Sequence, residues 1–324
     1  MDNNLSNLKA IERNIGIDWL KVFAVFLVMN SHMNICYPKY GFLASGGAIG
    51  DALFFFASGF TLFLGRHMRF DNWYKRRINR LYPSVLAAAI VGCAIWGLPD
   101  NIIDIVSGKR YWFLGCIMIY YLLLYPIKTI GNGKYAPVIL GLGGVVLVPI
   151  FFAFFNTGKP FYGGGVFRYF AFFLIMLQGA MMGKNQASYK FRSKYMALLL
   201  LSIAMFYIFF YIGKDNGLIL LSFVALMGVV RYGYLCCLAN PFRWIYEKKS
   251  WGQIIFIISQ LCLEVYLMQK FIFTKEMNYL FPLNIPIIMF AVIIVAYLTK
   301  AIAELISQTF KSEPYEWHKM LLHK

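Results

Sequence analysis

Charge is scarce in this sequence. Of its 324 residues only 14% are Asp, Glu, Lys or Arg, and 60% are hydrophobic; soluble domains carry roughly a quarter charged residues. So few polar groups cannot coat a water-soluble globule. Acidic residues are scarcer than basic ones, 14 against 31, which leaves a net charge of +17. A nucleic-acid binder would gather that charge on one face of a folded soluble module. Here the basic residues fall between apolar runs, so nucleic acid is not an expected partner.

Other absences narrow the reading further. The six cysteines, Cys36, Cys93, Cys116, Cys236, Cys237 and Cys262, form no CxxC pair and no ladder of spacings, which speaks against a disulfide framework or a zinc site. They read as small hydrophobes in packing, the vicinal Cys236 and Cys237 included. No His cluster or carboxylate group stands at ligand spacing, so no metal is expected. The first apolar run holds Asp18 and Lys21 and has no small-residue cleavage pattern behind it, which argues against a cleavable signal peptide. Linkers and low-complexity tracts are missing, and the breaks between apolar runs, 240–252 among them, are short. One membrane domain over 1–324 is the economical expectation. The two halves show no repeat, and the inverted duplication common among secondary transporters should leave a trace in hydropathy.

What the chain does have is apolar runs of about 20 residues, the length that crosses a hydrocarbon core. They predict an all-α polytopic bundle of ten spans, at 16–37, 42–64, 81–98, 111–127, 137–155, 165–183, 195–213, 217–239, 253–274 and 284–307. The eighth is the weakest, since its clean apolar part ends at Val230 and reaching Ala239 takes Arg231 inside. With both termini cytoplasmic, 21 of the Lys and Arg residues fall in the inside segments and 6 in the outside loops, as the positive-inside rule requires. The remaining four, Lys21, Arg168, Lys270 and Lys300, lie within spans. Trp73, Tyr111 and Trp112 read as interfacial anchors.

A charge near the bilayer centre costs at least about 2.5 kcal/mol on insertion scales, so each such residue is a site candidate. The first span holds Asp18, Lys21 and His32. At 100° per residue Lys21 and His32 lie about 20° apart, with Asp18 within about 60° and His32 about 16 Å further along the axis. The competing reading is that Asp18 and Lys21 snorkel to an interface. Of the other histidines, His67, His318 and His323 all fall in predicted cytoplasmic segments.

The Lys21 to His32 spacing resembles the signature of the acyltransferase-3 family, a basic residue and a histidine with ten residues between them in the first membrane helix. GDALFFFASGFTLF resembles the family's second span ending in Phe-Phe-x-x-Ser-Gly. WYKRRINRLYP resembles its basic cytoplasmic loop with Arg-x-x-Arg, here Arg77 and Arg80. YWFLGCIMIYYLLLYP is similar to the family's Trp-Phe fourth span, and SQLCLEVYLMQKFI to a late helix that commonly ends in His; Gln269 stands at that position.

The resemblance implies a multi-pass enzyme of the inner (plasma) membrane that moves an acyl group, most often acetyl, from cytoplasmic acyl-CoA to a hydroxyl of a lipid-linked or exported polysaccharide. It implies His32 as general base or acyl-accepting nucleophile, with Lys21, Asp18 and Glu264 as further catalytic candidates. Arg76, Arg77 and Arg80 would hold the CoA phosphates. Arg168 and Tyr162 are candidate sugar contacts. Ser58 reads either as a site residue or as a small packing residue. Two other readings stay open: a glycan exporter or flippase, and a non-catalytic relative. The oligomeric state is not readable from the sequence.

Overall fold

The computed structural model describes residues 13–65, 68–97, 111–154, 162, 167–213, 217–309 and 313–322. His67 and His323 lie outside them. Twelve α-helices account for most of the described chain, with no strand. They are α1 (Ile15–His32), α2 (Gly47–Leu64), α3 (Phe70–Trp96), α4 (Trp112–Thr129), α5 (Ala136–Phe154), α6 (Phe167–Lys184), α7 (Lys194–Ile212), α8 (Ile219–Cys236), α9 (Asn240–Glu247), α10 (Lys249–Gln260), α11 (Cys262–Ile272) and α12 (Asn284–Thr309).

Eight of these are long and apolar enough to cross a membrane, and α10 with α11 makes a ninth if the pair is one broken span. The predicted sixth span, α6, is 18 residues long but carries Arg168, Gln178 and Lys184 and is not among the eight. It compensates by burial, since its middle is wholly inside the bundle. The outermost helix is α7, whose only buried side chain among its 19 residues is Phe206. A helix apolar all round and so little buried is stable only against lipid. The eighth span runs unbroken as α8 to Cys236, with Arg231 exposed near its end.

Three boundaries differ from the sequence expectation. α1 stops at His32 and gives way to a 3₁₀ turn over Asn34–Cys36. α3 begins at Phe70 rather than 81, so the expected basic loop is helix. At 27 residues and about 1.5 Å per residue, α3 outreaches a hydrocarbon core of about 30 Å, and its basic first turns project beyond it. The ninth span is broken: α10 and α11 meet at Leu261 with a bend of 76°. Such a break leaves backbone groups unpaired at membrane depth, which is tolerated where they are buried in protein or line a cavity.

The end of the bundle where α1 begins is the near end, and the opposite one the far end. Local chemistry sets the α1 start, where the Asn14 side chain accepts from the Ile17 amide at 3.2 Å. At the near end of α2, Lys128 Nζ donates to the carbonyls of Leu62 and Gly65 at 3.0 and 2.6 Å, answering the orphan carbonyls of a helix C-terminus. This lysine, expected in a loop, is buried. Trp73 and Tyr111 are likewise buried rather than interfacial. Trp73 packs against Tyr121 and Tyr125, with ring centroids 6.0 and 5.3 Å away.

The tightest contact in the core is between α2 and α6. A Cβ built on Gly59 would lie 1.9 Å from the Met176 carbonyl oxygen, and one on Gly179 would lie 2.1 Å from that of Phe56. Backbone thus packs on backbone, an approach that small residues permit within membranes. All six cysteines are unpaired, four of them buried.

Candidate active site

The Arg-x-x-Arg spacing lies on a helix, so Arg77, Arg80, Leu81 and Ser84 share one face of α3. That face looks onto a cavity lined also by α1, α2, α4, the broken α10–α11 pair and α12. Its charged lining is Lys21, Arg77, Arg80, Lys300 and Glu264. A second cavity adjoins it toward the near end and shares Lys21, Thr61, Arg80 and Gln260.

Two of the charges in this region are tied. Asp18 is buried and fully engaged: Arg13 Nε and Nη2 donate to its two oxygens at 2.5 and 2.8 Å, Tyr246 Oη at 2.8 Å and Ser259 Oγ at 3.2 Å. It therefore pairs with Arg13 rather than with Lys21, and it staples the start of α1 to α9 and α10. Glu264 is equally buried. Its Oε1 accepts from Ser84 Oγ at 2.6 Å and lies 3.6 Å from Lys300 Nζ, which also meets Glu304 at 3.0 Å. Its Oε2 has no partner.

Lys21, Arg77 and Arg80 are different. Among the described residues no carboxylate stands within ion-pair distance of any of them. The Arg77 guanidinium instead lies over the rings of Trp73 and Tyr121, at 5.3 and 5.7 Å, and its Nε is buried without a partner. Three unneutralised cations thus face a cavity, an arrangement suited to a polyanion. Arg76, one turn before Arg80, is exposed and lines neither cavity.

His32 is not in this cavity. It ends α1 at the far end, is exposed, and lines neither of the two cavities. The imidazole Nδ1 lies 2.9 Å from the Val28 carbonyl oxygen and 3.4 Å from Gln269 Nε2. With Nδ1–H donating to Val28, the Nε2 lone pair is left for a proton, which is the tautomer a base requires. Neither Asp18 nor Glu264 reaches the ring; each is bound to the partners above. Gln269 occupies the neighbouring position instead, fully buried.

The two candidate sugar contacts part company. Arg168 lies at the far end, its guanidinium 4.2 Å over Trp112 and 5.0 Å over Tyr169. Tyr162 is buried among Phe172, Phe206 and Phe210, and its hydroxyl meets Ser222 Oγ at 2.9 Å. It is a packing residue of the core, not part of a cavity wall. Ser58 lines the cavity that Arg77 faces while its neighbour Gly59 meets α6, so the Ser-Gly pair serves the cavity and the packing on successive positions.

Lys300, Ser84, Thr61 and Gln260 are cavity or carboxylate partners that sequence reasoning passed over. Lys300 alone carried a signal, as a charge in the middle of a span.

The bundle defines a polytopic membrane protein with a charged cavity among its helices. The acyltransferase-3 family, described as an acyltransferase domain, matches residues 14–302, and the chain belongs to that family: it is a membrane acyltransferase. Comparison with curated proteins and with solved structures gives no match.

Proposed function

We propose that the protein transfers an acyl group, acetyl in the first instance, from acyl-CoA at the cytoplasmic near end to a hydroxyl of a polysaccharide or its lipid-linked precursor at the far end. The observation that carries this reading is the cavity whose Lys21, Arg77 and Arg80 have no carboxylate to neutralise them. Arg80 is exposed, but Lys21 and Arg77 are partly buried; holding such charges unpaired is costly, and the phosphates of a CoA donor would supply the missing anions. The planar guanidinium forks suit phosphate oxygens. The plasma membrane, with both termini cytoplasmic, is the setting that fits the excess of basic residues at one end.

In the reaction, His32 Nε2 takes the proton of the acceptor hydroxyl as that oxygen attacks the thioester carbon. The new C–O bond forms, the C–S bond breaks, and the leaving thiolate is protonated to free CoA. In the covalent variant Nε2 itself attacks first, giving an acyl-imidazole that the hydroxyl then resolves. Either course brings the thioester end of the donor toward the far end while its phosphates stay among the cations. Glu264, held by Ser84 and Lys300, is a positioning residue for the cavity, and Lys21 serves the donor rather than the imidazole.

The test compares O-acetylation of the cell-surface glycan in cells carrying wild type, His32→Ala, and Arg77→Ala/Arg80→Ala protein at matched expression. Loss of acetylation in both variants is expected. Unchanged acetylation with impaired glycan export in the His32→Ala strain would favour an exporter instead.

A further inference from the structure

We infer that Phe54, Phe113 and Tyr266 form the seat of the acyl group and limit its chain length. The inference rests on the acyl-CoA reading above and adds to it which residues select the acyl chain.

The lining of the cavity that Arg77 faces is segregated along the bundle. Its cations come from the near half, whereas its far end is lined by these three rings. Their depth follows from contacts already described. α2 and α4 run side by side from far to near, Phe113 against Phe55 at one end and Lys128 on Leu62 and Gly65 at the other. Phe54 lies four residues farther out than Ser58, and Phe113 four farther out than Ile117, so each is one turn beyond a lining residue on the same helix face. Tyr266 lies beyond Glu264 on α11, toward Gln269 and His32.

The rings touch: centroids are 6.2 Å apart for Phe54 and Phe113, and 5.6 Å for Phe113 and Tyr266. Behind Phe113 stands Phe55, 4.5 Å away and fully buried, itself packed on Phe172 at 5.3 Å. A wall backed this way cannot retreat without repacking the core. Tyr266 also leads toward His32, since Gln269, one turn further along α11, has its Nε2 3.4 Å from the imidazole Nδ1. An acyl group lodged against the rings is therefore the part of the donor nearest the imidazole, and the space for its carbons ends there. Apolar pockets of fixed depth discriminate chain length by about 10- to 200-fold per methylene.

Purified protein in detergent is titrated with CoA, acetyl-CoA, butyryl-CoA and hexanoyl-CoA. Wild type should bind hexanoyl-CoA at least about tenfold more weakly than acetyl-CoA. Phe113→Ala, and separately Phe54→Ala, should shift that ratio toward the longer chain by about tenfold or more, with the affinity for CoA itself, held by the cations, little changed. Should an alanine variant lose CoA binding through misfolding, Phe113→Leu and Phe54→Leu carry the comparison, with a smaller shift in the same direction expected. A chain-length ratio that stays put in variants still binding CoA overturns the inference and leaves the donor reading intact. Wild-type protein that binds neither CoA nor any acyl-CoA removes the donor reading, and the acyl seat with it.

Discussion

Gly59→Ala should destabilise the protein although alanine is the better helix former. The added Cβ would stand 1.9 Å from the Met176 carbonyl oxygen, whereas ordinary contact begins at 3.4 Å. Two backbones in register cannot swing aside as a side chain can, so α2 and α6 must part by about 1.5 Å at a close-packed crossing. Overpacking of this kind costs about 1–3 kcal/mol, set against a helix-propensity gain of about 0.5–1 kcal/mol. Gly115 provides the control: it is also helical, in α4, but a Cβ there meets nothing within 4 Å, so Gly115→Ala should keep the gain and pay nothing. The two variants are thus expected to differ by about 2 kcal/mol, or roughly 4 °C or more in apparent melting temperature. Thermal unfolding of purified protein in one detergent, followed by fluorescence or by size-exclusion chromatography after heating, reads the difference. Equal melting temperatures for the two variants would refute the backbone-on-backbone account of the α2–α6 contact. Because Ser58 lines the cavity from the residue before Gly59, the same variant should also weaken donor binding.

Lys300→Met strands the buried Glu264, and removing one member of a buried pair costs about 3 kcal/mol or more, less here because Lys300 is partly exposed; Lys300→Met/Glu264→Gln should recover most of the lost melting temperature. Asp18→Asn removes the charge that Arg13, Tyr246 and Ser259 converge on, at an expected cost of about 2 kcal/mol, while Tyr246→Phe should cost about 1 kcal/mol; thermal unfolding of both variants checks the order. Arg77→Ala should weaken acetyl-CoA binding by about tenfold or more, the value of one charge-assisted bond, whereas Arg76→Ala, exposed and outside the lining of both cavities, should cost under about threefold, as screened surface charges do; calorimetric titration would expose equal losses as an error in the cavity assignment.

Much of the fold was legible because a bilayer imposes a simple code. A segment that crosses hydrocarbon must be helical, about 20 residues long and apolar, and each of the ten predicted segments holds helix. The misses occurred where hydropathy is blind to geometry. The first turns of α3 are polar and so looked like a loop, yet a polar helix extending past the membrane surface satisfies its backbone as well as a buried one does. The break at Leu261 leaves no mark in hydropathy, because the residues on both sides of it are apolar. In the site, the position of Lys21 was readable from helical periodicity, whereas Arg77 and Arg80 were singled out by the family resemblance and their shared helix face, on a stretch expected to be loop, was not. Lys300 carried a readable signal that was not followed, a cation in the middle of the last span. Tyr162 misled because its place next to an outside loop says nothing of the aromatic packing that buries it.

From sequence alone came the membrane bundle, the approximate depth of each span, the side on which basic residues gather, and the family motif of the first eighty residues. Each of these is a property of composition or of spacing along a single helix. Tertiary structure decided which polar groups meet. Asp18 binds Arg13 five residues away and Ser259 on another helix, Glu264 is shared between Ser84 and Lys300, and His32 stands outside the cavity that Lys21 lines. Those pairings depend on the rotation, tilt and breaks of helices packed against one another, and spans equally apolar on every side can pack in many rotations without changing their hydropathy.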